Sequence, residues 1–264
     1  MMSFQDTDDL VLLSQLLPKL NTVIRWRAFY YDSLPTTQGE ALRLAEAGFP
    51  EGTLVIANQM TAGRGRMSRQ WLAPPGGLWF TAILRPPPIS QPHLVNLAAA
   101  VAVARSVKDL FSVDAKLKWP NDVIAGGKKL CGILSELHVS GGSFVILLGV
   151  GINVNNDIPE EIRHTATSLR ALLGHRVGRL PLLLSFIKFF DGDYTLIKKG
   201  YTDLIISSYQ ALCTTIGGRV EVTTPTGSYV GVAVGVDEMG RLIVRTPSGA
   251  RILFSAGEVL HVEG

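Results

Sequence analysis

The chain has 264 residues, with 25 Lys+Arg against 22 Asp+Glu for a formal charge of +3, and 47% of its residues are hydrophobic. At 18% charged residues a disordered polyampholyte is excluded, and the length allows one large folded domain or one large and one small. A pI near 8.9 points to nucleic acid only if the basic residues cluster.

The start, Met1-Met2-Ser3-Phe4-Gln5-Asp6, is acidic where an export signal needs a basic region, and no stretch reaches the ~20 apolar residues of a spanning helix. Cys131 and Cys213 stand far apart with no CxxC spacing, so neither a disulfide framework nor a structural zinc site is expected, and a reducing, cytoplasmic setting is. Asp8 or Asp9 can cap a short helix to about residue 20. Residues 23–31 read as a strand, and Thr36-Thr37-Gln38 followed by 40–47 reads as a capped helix closing at Gly48. Residues 53–57 and 78–84 are β-branched and apolar, the strands expected on either side of a glycine- and arginine-rich loop at 63–69, and Pro86-Pro87-Pro88 ends the second. Residues 93–111 form an alanine- and valine-rich helix without a polar face until Arg105, which must be buried on most sides.

Four further strands are expected at 116–119, 123–124, 129–138 and 143–154, turned at Asn121-Asp122, Gly126-Gly127 and Gly141-Gly142. Helical patterns follow at about 158–173 and 180–199. From about Cys213 the chain alternates with period two over 219–223, 229–236, 242–246 and 251–254, the pattern of a small β-barrel. The expected architecture is α+β: a mixed β-sheet core packed with helices over 1–212, and a small C-terminal barrel over 213–264.

None of the GxxxxGK[ST], HExxH or GxSxG devices is present, nor a GxGxxG after a strand. Three features remain. Thr61-Ala62-Gly63-Arg64-Gly65-Arg66-Met67-Ser68-Arg69-Gln70-Trp71 is either a solvated loop or an anion clamp, in which glycines let the backbone approach a ligand and arginines grip phosphate or carboxylate. Lys118-Trp119-Pro120-Asn121-Asp122 precedes Lys129, which alternates with apolar Leu130, Ile133 and Leu134 and is either an edge-strand lysine or one whose ammonium reaches a buried partner. Gly149-Val150-Gly151-Ile152-Asn153 puts glycines in a buried strand, the mark of a bulge or of close ligand approach.

In this order and spacing, over nearly the whole chain, these segments resemble biotin protein ligases, which activate biotin with ATP and transfer it to a carrier-protein lysine. Gly63-Arg64-Gly65-Arg66 with Arg69 and Trp71 is similar to that family's loop over biotin and its adenylate. Lys118–Asp122 resembles the KWPND segment, Lys129 falls on the lysine that reaches the biotin carboxylate and ATP phosphate, and Gly149–Asn153 matches the GxGIN strand. The tail with Gly257-Glu258-Val259 resembles the family's SH3-like C-terminal barrel. The resemblance implies a catalytic biotin- and ATP-binding domain over 1–212, with Lys129 and Arg66 as catalytic residues. Biotin would be held by Thr36, Thr37, Gln38, Met60, Gly63, Arg64, Arg66, Lys129 and Gly132. The nucleotide would be held by Arg64, Arg66, Arg69, Trp71, Lys118, Asn121, Asp122, Lys129, Asn153 and Arg251.

The implied reaction makes biotinyl-5′-AMP and pyrophosphate from biotin and ATP with Mg2+, then passes biotin to the biotin carboxyl carrier protein of acetyl-CoA carboxylase. It needs positioning and cationic stabilisation, with no protein nucleophile. Alternatives are a lipoate or octanoate ligase, which would not need the arginine-glycine block, and a non-catalytic biotinyl-adenylate sensor. The family's usual Ser-Thr-Asn stands here as Thr36-Thr37-Gln38, and its usual glutamine three residues before Gly63 is Met60, with Gln59 beside it. The roughly 25 residues before the first strand are too few for the winged helix-turn-helix of repressor members, so DNA is not an expected partner; nor, without a long apolar stretch, is a membrane, and a monomer or homodimer is expected. Residues 213–264 carry four Lys+Arg against five Asp+Glu, so the basic excess lies in 1–212, around the loop and Lys129.

Overall fold

The structure, a computed structural model, describes residues 10–86, 92–140 and 143–261. The apolar, β-branched segments pair into one large sheet: β1 (Arg27–Leu34), β2 (Thr53–Met60), β3 (Leu78–Leu84), β4 (Ala115–Lys118), β5 (Asp122–Ala125), β6 (Lys128–Ser140) and β7 (Ser143–Ile152). Their order is β1-β2-β3-β7-β6-β5-β4. Only β1 and β2 run parallel, joined through α2 (Thr37–Glu46), and every other neighbouring pair is antiparallel. All seven residues of β3 are buried because the strand is central and covered on both faces.

On one face α2 packs Ala41, Leu44 and Ala45 against Val55, Ile83 and Leu147. On the other lies α3 (Pro92–Phe111), whose alanines and valines allow close approach to the sheet and to α5 (Arg179–Lys198). Along α5, Phe186, Phe190 and Tyr194 stack at centroid separations of 5.4 and 5.5 Å. The helix expected at 36–47 is α2, with Thr36 as its cap accepting from Gly39 N at 2.9 Å and Gly48 (φ +85°) closing it.

The remaining strands are β8 (Arg219–Thr224), β9 (Gly227–Val236), β10 (Leu242–Arg245), β11 (Arg251–Phe254) and β12 (Glu258–His261). They form the five-stranded antiparallel C-terminal sheet, ordered β11-β10-β9-β8-β12. It is docked on the first sheet through Trp119, whose backbone N donates to Thr215 Oγ1 (3.0 Å) and whose indole Nε1 donates to Gly240 O (3.2 Å). Gly240, at φ +78°, turns the β9–β10 connection against Leu97 and His93 of α3.

Four expectations change. The strand expected at 23–31 begins only at Arg27, because the preceding backbone is held elsewhere: the Asp191 carboxylate accepts from Val23 N (2.7 Å), Ile24 N (2.9 Å) and Trp26 Nε1 (3.1 Å). The helix expected at 158–173 is a 3-10 turn, Glu160–Ile162, followed by the short α4 (Leu169–Leu173). Local propensity loses there to pairing with β6, where Lys129 N donates to Thr165 O (2.8 Å) and Thr167 N to Lys129 O (2.9 Å). The N-terminal helix is limited to α1 (Leu13–Leu16) between 3-10 turns at Leu10–Leu12 and Leu17–Lys19, the second of which carries Pro18. An extra helix, α6 (Thr202–Leu212), precedes Cys213. Asp8, Asp9, Pro87, Pro88 and the Gly141-Gly142 turn lie outside the described residues.

Asp191→Ala removes the common acceptor of three donors, and is expected to cost about 2–4 kcal/mol of stability, read as a lower urea midpoint, because buried donors are left without partners. An unchanged midpoint would contradict this role.

Candidate active site

At one end of the large sheet a cavity of about 820 Å³ opens between the 63–71 loop, the β4–β5 turn, the surface of β6 and β7, residues 153–166 and strand β12. The lysine that the sequence singles out reaches it through a bulge. The β5–β6 register shifts between Val123 and Ile124, so that Leu130 pairs with no residue of β5. The extra residue keeps Lys129, Gly132 and Leu134 on the cavity side while Leu130 and Cys131 stay buried. Lys129 Nζ lies 2.7 Å from Asp122 Oδ1 and 5.3 Å from the centre of the Trp71 ring. Its ammonium therefore has both an ionic and a π partner, as a lysine leaving a buried strand requires.

The glycines of β6 and β7 do admit close approach, and what approaches is protein. A Cβ on Gly132 would stand 2.9 Å from Trp71 Cζ3, one on Gly151 2.8 Å from Trp71 Nε1, and one on Gly149 3.2 Å from Gln38 Cδ. The Trp71 indole thus lies on the strands, edge-on to Trp79 at 6.1 Å, with its buried Nε1 donating to no acceptor among the described residues. Gln38 Nε2 donates to Leu134 O at 3.2 Å. The two departures from the usual pattern touch each other: Thr37 N donates to Met60 Sδ at 3.3 Å, and Thr37 Oγ1 accepts from Thr81 Oγ1 at 2.8 Å. Thr36, Thr37, Gln38 and Met60 all line the cavity.

The 63–71 loop is a closed hairpin. Trp71 N donates to Gly63 O (2.9 Å), Gly65 N to Arg69 O (2.7 Å) and Arg69 N to Arg66 O (3.1 Å), while Met67 sits exposed at the tip with φ +53°. Gly63 must be glycine because a Cβ would meet Trp71 O at 2.4 Å. Arg66 is half-buried, its guanidinium donating to Asn121 Oδ1 (3.1 Å) and Gly257 O (3.5 Å). Burial pulls its pKa down and the Asp122 carboxylate opposes that pull. Asn121 is aimed by its own bond from Nδ2 to Ile133 O, 3.0 Å. Arg69 pairs with Glu258 at 2.5 Å, and Arg64, largely exposed, stands 4.0 Å from Glu136.

Lys118 lines the cavity from β4 and Asn153 from the end of β7, the latter buried with its Oδ1 accepting from Asn156 Nδ2 at 3.0 Å. Gly63 supports the loop without being part of the lining, and Arg251 is not brought to the cavity: β11 and β12 are opposite edges of their sheet, and only β12 lies at the site. His261, residues 156–159, Ile162 and 164–166 also line the cavity without being among the expected site residues, as does Glu258, which the sequence places only in the tail that resembles the family's barrel. They join it through long-range packing that leaves no local pattern. Burial pushes the Cys131 thiol up, so it stays protonated and offers no nucleophile. Among the described residues no helix is long and apolar enough to cross a membrane.

Residues 30–153 match the Biotin/lipoate A/B protein ligase family, and residues 215–262 match the Biotin protein ligase C terminal domain. The Bacillus subtilis bifunctional ligase/repressor BirA is 36% identical over 234 residues, covering 86% of this chain and 72% of the relative. The Mycobacterium tuberculosis biotin–[acetyl-CoA-carboxylase] ligase is 35% identical, covering 86% of each. Among solved structures, the Aquifex aeolicus biotin protein ligase in complex with biotin and ATP superposes with a TM-score of 0.80 at 29% identity, over 89% of this chain and 99% of that one.

Proposed function

The chain belongs to the biotin protein ligase family of ATP-dependent enzymes, and from that membership we propose its reaction in full. A biotin carboxylate oxygen attacks the α-phosphorus of ATP, the bond from the α-phosphorus to the α–β bridging oxygen breaks, and pyrophosphate leaves. A lysine amine of a biotin carboxyl carrier protein then attacks the acyl carbon, the bond to AMP breaks, and the lysine loses a proton. The observation that carries this reading is that Lys129, Arg66, Asn121 and Asp122 line one cavity together with Thr37, Met60 and Gln38.

In that arrangement Asp122 holds the Lys129 ammonium where carboxylate and α-phosphate meet, and Arg66 and Arg64 grip the resulting mixed anhydride. Lys118 and Asn153 would contact the nucleotide, and Asn121 and the Asp122 carboxylate would hold a Mg2+ that neutralises charge on its phosphates. Thr36, Thr37, Gln38 and Met60 receive the biotin rings, and Trp71 forms an apolar wall against Gly132 and Gly151. We assign residues 1–212 to the catalytic unit and 213–264 to the small C-terminal one.

Incubating the protein with ATP, biotin and a carrier domain should add one biotin to the carrier by mass spectrometry. An unchanged carrier mass would refute the reading, and modification by lipoate instead would replace it. Gly151→Ala should push the indole off its strand and weaken biotin binding by roughly tenfold in calorimetry, since the new Cβ falls inside contact distance of Trp71 Nε1.

A further inference from the structure

A carboxylate stands inside a cavity that the proposed reaction fills with a triphosphate. Glu258, first residue of β12, lines that cavity with Arg66, Arg69, Lys118 and His261. A fixed negative charge there opposes a polyanion unless it does something in the ligand's absence. Its partner is Arg69, at 2.5 Å, and Lys118 adds attraction from β4. The Arg69 hydrogen bond holds the Glu258 carboxyl below its ordinary range, so it is ionised at neutral pH.

The pair joins the loop to a strand 189 residues further along the chain. The neighbouring contact of Arg66 with Gly257 O makes the same connection. Both partners are accessible, Arg69 at 62% and Glu258 at 40% of their side-chain surface. An exposed ion pair is weak and exchanges readily, and an arginine fork takes phosphate as well as carboxylate.

We propose that Glu258 is a positioning residue that occupies Arg69 in place of phosphate. ATP displaces it during activation, and it recaptures Arg69 once pyrophosphate has left, holding the 63–71 loop over the adenylate until the carrier lysine arrives. The inference rests on the adenylating reading above.

A merely structural ion pair and a phosphate stand-in make different predictions for Glu258→Gln. Loss of a structural contact loosens the loop and weakens everything it binds. Loss of a competitor for Arg69 strengthens ATP binding while weakening retention of the adenylate. Glu258→Gln is therefore expected to tighten ATP binding in calorimetry by about three- to fivefold, the range of one accessible ion pair. It should also raise the escape of adenylate, read as biotin on bystander lysines, by a similar factor. Glu258→Asp, which keeps the charge, should return both toward the parent protein.

Weaker ATP binding, unchanged escape, or equal effects from the Gln and Asp variants would each overturn the proposal. Biotin-dependent ATP–pyrophosphate exchange by the unaltered protein tests the underlying reaction separately. Without that exchange the adenylating reading falls. With it, and with unchanged binding and escape in Glu258→Gln, only the role of Glu258 falls.

Discussion

Lys129→Ala is expected to lower biotin-dependent ATP–pyrophosphate exchange by about a thousandfold or more, the scale for removing a preorganised charge from a reacting centre. Biotin binding should remain measurable. The split follows from what holds the residue. Its backbone is fixed by Thr165 O and Thr167 N and by the bulge at Leu130, none of which involves the side chain, so truncation leaves β6 in register. The ammonium, in contrast, is the positive partner of Asp122 and the cation over Trp71. Without it, Asp122 faces the incoming carboxylate and phosphate as an uncompensated negative charge, so the ground state loses one attraction and activation loses both attraction and charge balance. The effect should therefore fall mainly on kcat of exchange. Calorimetry with biotin alone, beside isotope exchange with saturating substrates, checks it; exchange near the parent rate would remove Lys129 from the reaction.

How far such roles were legible in the sequence depended on whether the cause was local. Strand 78–84 and helix α3 were readable to within a residue because an unbroken apolar run and an alanine-valine run are each set by burial alone. The 158–173 segment was misread because its apolar spacing is helical while its backbone is taken by Lys129. Helix α6 was missed because Leu204-Ile205-Ile206 carries β-branched residues next to a region of strand pattern. The same division runs through the site. The loop arginines are visible as a cluster of cations interleaved with glycines, and Lys129 as a charge in an apolar strand that needs a partner. The bulge that aims Lys129, the seating of Trp71 on Gly132 and Gly151, and the presence of Glu258 rather than Arg251 at the cavity are set by register and sheet order. No short stretch of sequence encodes those.

Arg66→Gly is expected to release the adenylate, raising biotinylation of bystander lysines by roughly ten- to hundredfold, the loss of one or two charge-assisted hydrogen bonds. Arg66 is the half-buried cation of the loop. It is positioned by Asn121, itself anchored to Ile133 O, and by Gly257 O of the C-terminal sheet. Its removal therefore deletes the proposed grip on the mixed anhydride and also a tie between the loop and Gly257, just before strand β12. The substitution adds backbone freedom next to Gly65, which by itself opens the loop, so Arg66→Gln separates the causes: it keeps a non-glycine backbone and a shorter polar side chain and removes the guanidinium charge. If both variants leak to a similar degree, the charge retains the intermediate. If only the glycine variant leaks, backbone stiffness does, and Arg66 is a spacer. Activation itself should fall less than in Lys129→Ala, because Arg66 Nη1 donates to Asn121 and Gly257 O, while the Lys129 ammonium, paired with Asp122, is the cation proposed to meet the reacting carboxylate. Tight retention of the adenylate in Arg66→Gly would show that water exclusion by Trp71 and the hairpin suffices without the guanidinium.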